Sequence, residues 1–246
     1  MKQILILAQK DLKILFLDKT SLVVTFALPI VLVVVIGSAF SNAFPPSLGI
    51  TSHDYAFSKV MFWGLMGGVA SSVTTIAIEK SSGTIVRLEL APINRFHMLA
   101  GKALACVSVL LMSSLLTWLV SSVFFGIKTS APFSLLLVCL VSSLFFAGLA
   151  TFLSNFVSTE RSAGALSWST LQVLACFSGI MFPTTIMPGW MVSITKMNPL
   201  TWAVQAMETA LWKGGAFLDL YVPFAIILGV GAVLFLVSVN RFRWNR

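Results

Sequence analysis

Residues 79–102 hold the densest run of side chains capable of polar chemistry: Glu79, Lys80, Ser81, Ser82, Thr84, Arg87, Glu89, Arg95, His97 and Lys102. Turn residues bound the run, with Gly83 near its start and Pro92-Ile93-Asn94 near its end, and a long apolar stretch lies on either side. A Lys, Arg or Glu at the centre of a bilayer costs about 3 kcal/mol, so this insert must lie outside the hydrocarbon. It carries more ionisable groups than any other loop between two apolar runs. The chemistry it suits is recognition of a soluble partner. Catalysis has no comparable constellation: the two histidines, His53 and His97, fall on opposite sides of the expected membrane and cannot join in a zinc site or a Ser/His pair.

The elements that position this loop follow from composition. The chain is 58% apolar and 10% charged, against about 25% charged in a soluble domain. It reads as an integral membrane protein with one transmembrane domain over 1–246. Spans of about 20 apolar residues are expected at 22–40, 60–78, 103–125, 132–153, 164–182 and 222–239. The runs are continuously apolar rather than alternating, which argues for helices and against a β-barrel. The expected fold class is therefore all-α. Six helices leave no room for a soluble catalytic domain. Cys106, Cys139 and Cys176 all fall in spans and read as buried small hydrophobes.

Net charge is +8, and its distribution is topological. Cytoplasmic termini place Lys2, Lys10, Lys13, Lys19, Lys80, Arg87, Arg95, Lys102, Arg161, Arg241, Arg243 and Arg246 inside. Lys59, Lys128, Lys196 and Lys213 remain outside, a 12:4 division of the 16 positive residues that obeys the positive-inside rule. Nucleic acid is not an expected partner. Residues 1–20 form an amphipathic interfacial helix, with Ile4, Leu5, Ala8, Leu12, Leu15 and Phe16 on one face and lysines turned to anionic headgroups. Its apolar run is too short for a secretory signal, so the first span is expected to stay as an uncleaved anchor.

Along the chain, Pro29 is tolerable inside the first span if a neighbour satisfies the carbonyl it frees. Gly64 and Gly68 allow close helix approach in the second span. Ser71, Ser72, Thr74 and Thr75 below them either bond their own backbone or face a neighbour or cavity. In the polar loop, Thr84 can cap a helix of about two turns that Pro92 ends, and Asn94 can cap the helix that enters the third span. Residues 183–213 are apolar but broken by Pro183, Pro188, Gly189 and Asn198-Pro199. They are expected as a re-entrant outer segment, with a helix returning from about Thr201 and Trp190, Trp202 and Trp212 at interfacial depth. No Gly-x-x-x-x-Gly-Lys-Ser/Thr occurs, since Gly101-Lys102 is followed by Ala103. No span carries a charge at mid-depth, which argues against an ion-coupled carrier. The chain reads as a conduit whose energy comes from elsewhere.

Glu79, Gly83, Thr84, Leu88, Pro92, Arg95, Leu99, Gly101 and Lys102 stand in the order and spacing of the first cytoplasmic loop of ABC-2-type permeases, the membrane subunits of ATP-binding-cassette exporters, and the loop resembles theirs. Ser178-Gly179-Ile-Met-Phe182-Pro183, Met187-Pro188-Gly189-Trp190 and Asn198-Pro199-Leu200-Thr201-Trp202 resemble that family's fifth-span exit and outer segment. Lys80-Ser81-Ser82 departs from the acidic or arginine-rich residues common there. The resemblance implies that Thr84–Ala91 is a coupling helix seated in a cleft of a separate ATPase. Its site would comprise Glu79, Gly83, Thr84, Arg87, Leu88, Glu89, Pro92 and Arg95, with Arg87 and Glu89 as polar contacts and Lys102 as a flanking anchor. It further implies two permease subunits, identical or related, and ATP and Mg on the partner rather than on this chain. A pathway lined by spans two and five would include Ser71, Thr74, Trp168, Gln172 and Phe177.

The function expected is thus a multi-pass plasma (inner) membrane permease for ATP-driven export of an amphipathic or hydrophobic molecule, a drug-like compound first. Lipid-linked polysaccharide, sodium or peptide export are the alternatives within the class. A non-transporting scaffold and a secondary carrier are the alternatives outside it.

Overall fold

The computed structural model describes residues 2–39, 51–85, 90, 94–127, 129–181, 184, 187–212 and 217–242. Among them the regular elements are helices: α1 (Lys2–Leu17), α2 (Lys19–Leu22), a π-helical turn (Val23–Ala27), α3 (Leu28–Ala39), α4 (Ser52–Ser81), α5 (Arg95–Phe125), α6 (Pro132–Ser154), α7 (Glu160–Cys176), α8 (Gly189–Met197), α9 (Pro199–Leu211), a 3₁₀ turn (Phe217–Leu220) and α10 (Tyr221–Arg241). Four of these, α4, α5, α6 and α10, are long and apolar enough to cross a membrane, and Val23–Ala39 is a shorter apolar helix.

Local sequence explains the boundaries. Thr51 and Asp54 form a reciprocal capping box at the start of α4, and Thr159 does the same with Ser162 at α7. Asn94 accepts from the Phe96 N–H to begin α5, and Gly126, at φ 63°, ends it in a left-handed turn that suits glycine. Pro29 cannot bond the carbonyl of Thr25 four residues earlier. The helix relaxes there into the π turn, and Ser113 of α5 donates to that carbonyl at 2.6 Å. The proline ring then packs on Gly64, where an added Cβ would come within 2.5 Å of Pro29 Cγ; at Gly68 an added Cβ would meet Leu110 within 2.3 Å.

α4 sits centrally, packed by α3, α5, α6, α7 and α9, while α10 lies on α6 and α1 lies on α5. One end of the bundle gathers the C-termini of α4, α6 and α10 and the N-termini of α5 and α7. Lys10, Lys80, Arg95, Lys102, Arg161 and Arg241 all lie at this basic end. The opposite end carries Lys59, which pairs with Glu208 of α9 at 2.5 Å.

Three features differ from the sequence reading. Of the expected α1 face, Ala8 is buried and Ile4, Leu12 and Leu15 are half-buried, but Leu5 and Phe16 are exposed and Leu7 packs inward instead, because Gly101 of α5 lets the Leu7 side chain approach to van der Waals contact. Lys10 turns toward Glu79 rather than outward. The fifth apolar run, expected at 164–182, forms a helix over Glu160–Cys176. It stops there because Ser178 bonds back to the Ala175 carbonyl and Gly179 takes φ 84°.

Candidate functional site

The last turn of α4 presents Glu79 between α1 and α5. Its carboxylate pairs with Lys10 and, at 2.5 Å, with Lys102, while Asp11 pairs with Lys102 at 3.2 Å and lies 3.7 Å from Lys10. The Glu79 and Lys102 side chains are only 7% and 4% exposed. Two cations and two carboxylates balance, which is what allows them to be buried together. Lys80 turns the other way, donating to the carbonyls of Ser154 and Val157 beyond α6, with Phe242 beneath it. Adjacent residues therefore fasten α4 to both flanks of the basic end.

The polar loop leaves α4 through Gly83, whose φ of 70° a side chain would resist. Thr84 and Ile85 are already helical, so Thr84 sits within the first turn rather than ahead of it. Its hydroxyl lies 3.0 Å from that of Ser82. Ile85 is buried among Leu7, Ile76, Met98, Leu99 and Phe242, which roots the start of the loop in the bundle. Arg87, Leu88, Glu89 and Pro92 lie outside the described residues. Leu90, between them, is 85% exposed. Nothing in hydropathy marked it, because a leucine beside Ala91 reads as ordinary helix lining. Arg95 secures the far end of the loop by donating to the Phe242 carbonyl at 3.2 Å.

Beside this loop a groove of about 520 Å³ opens between α4 and α7. Ser71, Thr74 and Thr75 of α4 and Gly164 and Trp168 of α7 form its walls. Asp18 and Glu160 lie in its lining, with Glu79 at the basic end. The Thr75 hydroxyl is turned to the Ser71 carbonyl at 3.0 Å. Ser71, Thr74 and Trp168, expected along a pathway, are thus brought together. Gln172 and Phe177 are not part of that lining. Gln172 is half-buried one turn above Trp168, and Phe177 belongs to the opposite end, edge-on to Trp190 with centroids 6.5 Å apart.

At that end Asn198 joins three helices. Its amide donates to the carbonyls of Leu174 and Phe177 at 2.8 and 3.0 Å, and its oxygen caps α9 by accepting from the Leu200 N–H at 3.0 Å. Thr201 adds a bond to the Phe177 carbonyl at 3.3 Å. The C-terminus of α9 is held in turn by Ser130, which donates to the Leu211 carbonyl from both its N–H and its hydroxyl. His53 stacks on Phe125, far from His97 at the start of α5.

Four helices long and apolar enough to cross a membrane, with a polar loop and a groove at the basic end, define a multi-pass membrane protein. The model of the ABC-2 type transporter family matches residues 2–212, and the chain belongs to that family. The family's members are membrane subunits that work with ABC ATPase subunits and are not themselves ATPases. Among relatives, the inner membrane transport permease YhhJ of Shigella flexneri is 24% identical over 193 residues, covering 74% of this chain and 51% of YhhJ. The linearmycin resistance permease protein LnrN of Bacillus subtilis is 26% identical over 201 residues, 78% of this chain and 49% of LnrN. The opaque-specific ABC transporter CDR3 of Candida albicans is 28% identical over 197 residues, 78% of this chain but 13% of CDR3. The chain thus spans about half the length of YhhJ and LnrN and a small part of CDR3.

Proposed function

We propose that this chain is the permease of an ATP-driven exporter, carrying an amphipathic or hydrophobic molecule along the groove between α4 and α7. The observation that carries the reading is the juxtaposition of that groove with the rooted, partner-facing loop. Movement of the loop reaches α4 through Gly83 and Glu79, and Glu79 and Asp18 both line the groove. The loop segment 84–91 docks on the ATPase with Leu90 as an apolar knob and Arg87 and Glu89 as its polar contacts. Glu79 acts from behind, through Lys10 and Lys102. ATP and Mg reside on the ATPase.

Positive residues at the basic end orient it to the cytoplasm with both termini. Val23–Ala39 and α7 complete six crossings of the plasma membrane, and α8 and α9 are too short to cross, at about 14 and 20 Å. A groove of hydroxyls, small residues and one indole, with the carboxylates Asp18, Glu79 and Glu160 also in its lining, suits an amphipathic cargo with apolar surface and no net negative charge, and LnrN is named for linearmycin resistance. A drug-like compound is therefore the cargo class proposed. Two permease subunits, identical or related, enclose the pathway, since the groove of one chain is open along its side.

The test is efflux of an amphipathic dye from proteoliposomes holding the permease and its ATPase. ATP-dependent efflux that falls severalfold in Trp168→Ala, from a particle with two permease copies by native mass spectrometry, is expected. Efflux that persists without ATP and collapses with the proton gradient would replace this reading with a secondary carrier. ATPase binding with no transport of any cargo class would replace it with a scaffold.

A further inference from the structure

A second groove, of about 360 Å³, is formed by α5, α6 and α10 and shares no helix with the first. Leu104 and Val107, Leu144 and Phe145, and Leu228 and Phe235 form its walls. Its floor exists because α6 and α10 cross without side chains. A Cβ on Gly148 would come within 2.4 Å of the Gly231 carbonyl oxygen, and one on Gly231 within 2.9 Å of Phe145 Cα. Ala103, Ala147 and Ala232 keep the channel open beside that crossing. Leu104, Leu144 and Leu228 are each about two-fifths exposed, so the groove faces outward from the bundle.

Its depth can be read along the helices. Ala100 lies five residues from Arg95, and Phe235 six from Arg241. At 1.5 Å per residue the groove begins about 8 Å from the basic end and reaches about 19 Å at Val107 and Leu228. The groove is thus about 11 Å long, most of the roughly 15 Å depth of one leaflet's hydrocarbon.

Charge lies at the matching end. Arg95 and Arg241 are both exposed, and the bond from Arg95 to the Phe242 carbonyl sets them at one corner. Neither pairs with a carboxylate among the described residues. Phe96 meets Phe235 edge-on, centroids 5.9 Å apart, linking that corner to the inner end of the groove. An apolar channel that spans most of a leaflet's hydrocarbon, with two guanidinium groups beyond its inner end that pair with no carboxylate among the described residues, complements an acyl chain joined to a phosphate.

We propose that the groove between α5, α6 and α10 seats an acyl chain of an anionic glycerophospholipid of the cytoplasmic leaflet, with Arg95 and Arg241 holding its headgroup phosphate. The site rests on the membrane orientation proposed above and not on transport. An anionic lipid is favoured over a zwitterionic one because no carboxylate among the described residues pairs with either arginine. Each juxtamembrane arginine strengthens attraction to an anionic headgroup about fivefold.

The test is native mass spectrometry of the full permease, purified with equimolar phosphatidylglycerol and phosphatidylcholine of matched chains, counting retained lipids. The wild type should retain phosphatidylglycerol by about tenfold over phosphatidylcholine. The double variant R95Q/R241Q should bring that ratio close to one. A232F, filling the groove, should lose retention of both lipids, and A103L serves the same purpose should A232F fail to fold. Equal retention by the wild type, an unchanged ratio in R95Q/R241Q, or unchanged retention in the folded filling variants would overturn the proposal. So would loss of permease self-association in A232F, which would make the groove the seat of a second copy. Neither ATP nor cargo enters the measurement, so failure of the export reading would leave this outcome intact.

Discussion

Removing the Glu79 charge tests whether the basic end is held by one coupled cluster. In Glu79→Gln, Lys102 keeps Asp11 at 3.2 Å but loses its contact at 2.5 Å. A hydrogen bond to a buried charged group is worth about 1.5–3 kcal/mol. Lys10 also loses its nearer partner, keeping Asp11 at 3.7 Å, but it is 37% exposed and recovers most of the interaction from water, so its share is at most about 1 kcal/mol. The expected cost of Glu79→Gln is therefore about 2–3 kcal/mol. Lys102→Met should cost more, about 3–5 kcal/mol, because it leaves two buried carboxylates facing one half-exposed lysine. Lys10→Ala should cost no more than about 1 kcal/mol. In the double variant Glu79→Gln/Lys102→Met, Asp11 and Lys10 remain as a pair, so the total should fall short of the sum of the single variants by at least about 1 kcal/mol. Unfolding of each variant in mixed micelles of rising denaturing-detergent fraction, followed by tryptophan fluorescence, gives the cycle. Additivity within about 0.5 kcal/mol, or a larger effect from Lys10→Ala than from Lys102→Met, would refute the cluster as a coupled unit.

Asn198→Ala should destabilise the fold by about 2–4 kcal/mol in the same assay, since it removes a helix cap and strips donors from two carbonyls. Gly64→Leu drives a side chain into Pro29 and should cost about 1–3 kcal/mol, whereas Gly164→Ala, with no atom within 4 Å of the new Cβ, should be neutral. Arg87→Glu and Leu90→Asp should leave insertion intact but weaken binding of the purified ATPase; a desolvated reversed charge costs several kcal/mol, and wild-type binding by both would remove the loop from the docking surface. Cysteines at positions 47 and 130 should label from outside and those at 82 and 245 only from inside, and outside labelling at 245 would require an odd number of crossings.

Local physics was legible in the sequence and pairing between distant segments was not. Pro29 announced a freed carbonyl, and that carbonyl is found bonded to Ser113; Asn94 announced a cap and makes one. The sequence did not disclose that Lys10 meets Glu79 across 69 residues, or Lys59 meets Glu208 across 149. Each lysine counted equally as a topological charge, and only packing separates those that face outward from those that fasten helices. The edge of the α1 face was misjudged for the same reason. Leu5 and Phe16 are as apolar as Leu7, and the choice between them is made by Gly101 on another helix.

The groove shows where such reading ends. Ser71 and Thr74 are three residues apart and share a face of α4 by helical geometry alone, so hydroxyl spacing was enough to place them on one wall. Trp168 joins them because α7 packs on α4 at that height. Gln172, one turn above, continues the same stripe in sequence, and a straight helix through 182 would have carried Phe177 along with it. The chain instead ends α7 at Cys176, and Asn198 takes up the carbonyls of Leu174 and Phe177 from 21 to 24 residues further on. Gly179 and Ser178 were visible as turn formers, but an apolar run that continues to Phe182 outweighs them on hydropathy. The capping partner that decides the matter lies beyond any periodic window. Phe177 consequently meets Trp190 edge-on at the far end, and the polar wall of the groove is built from the basic half of α4 and α7. On the proposed export reading, a cargo entering there would meet Ser71, Thr74 and Trp168 on the same half of the bundle as Glu79.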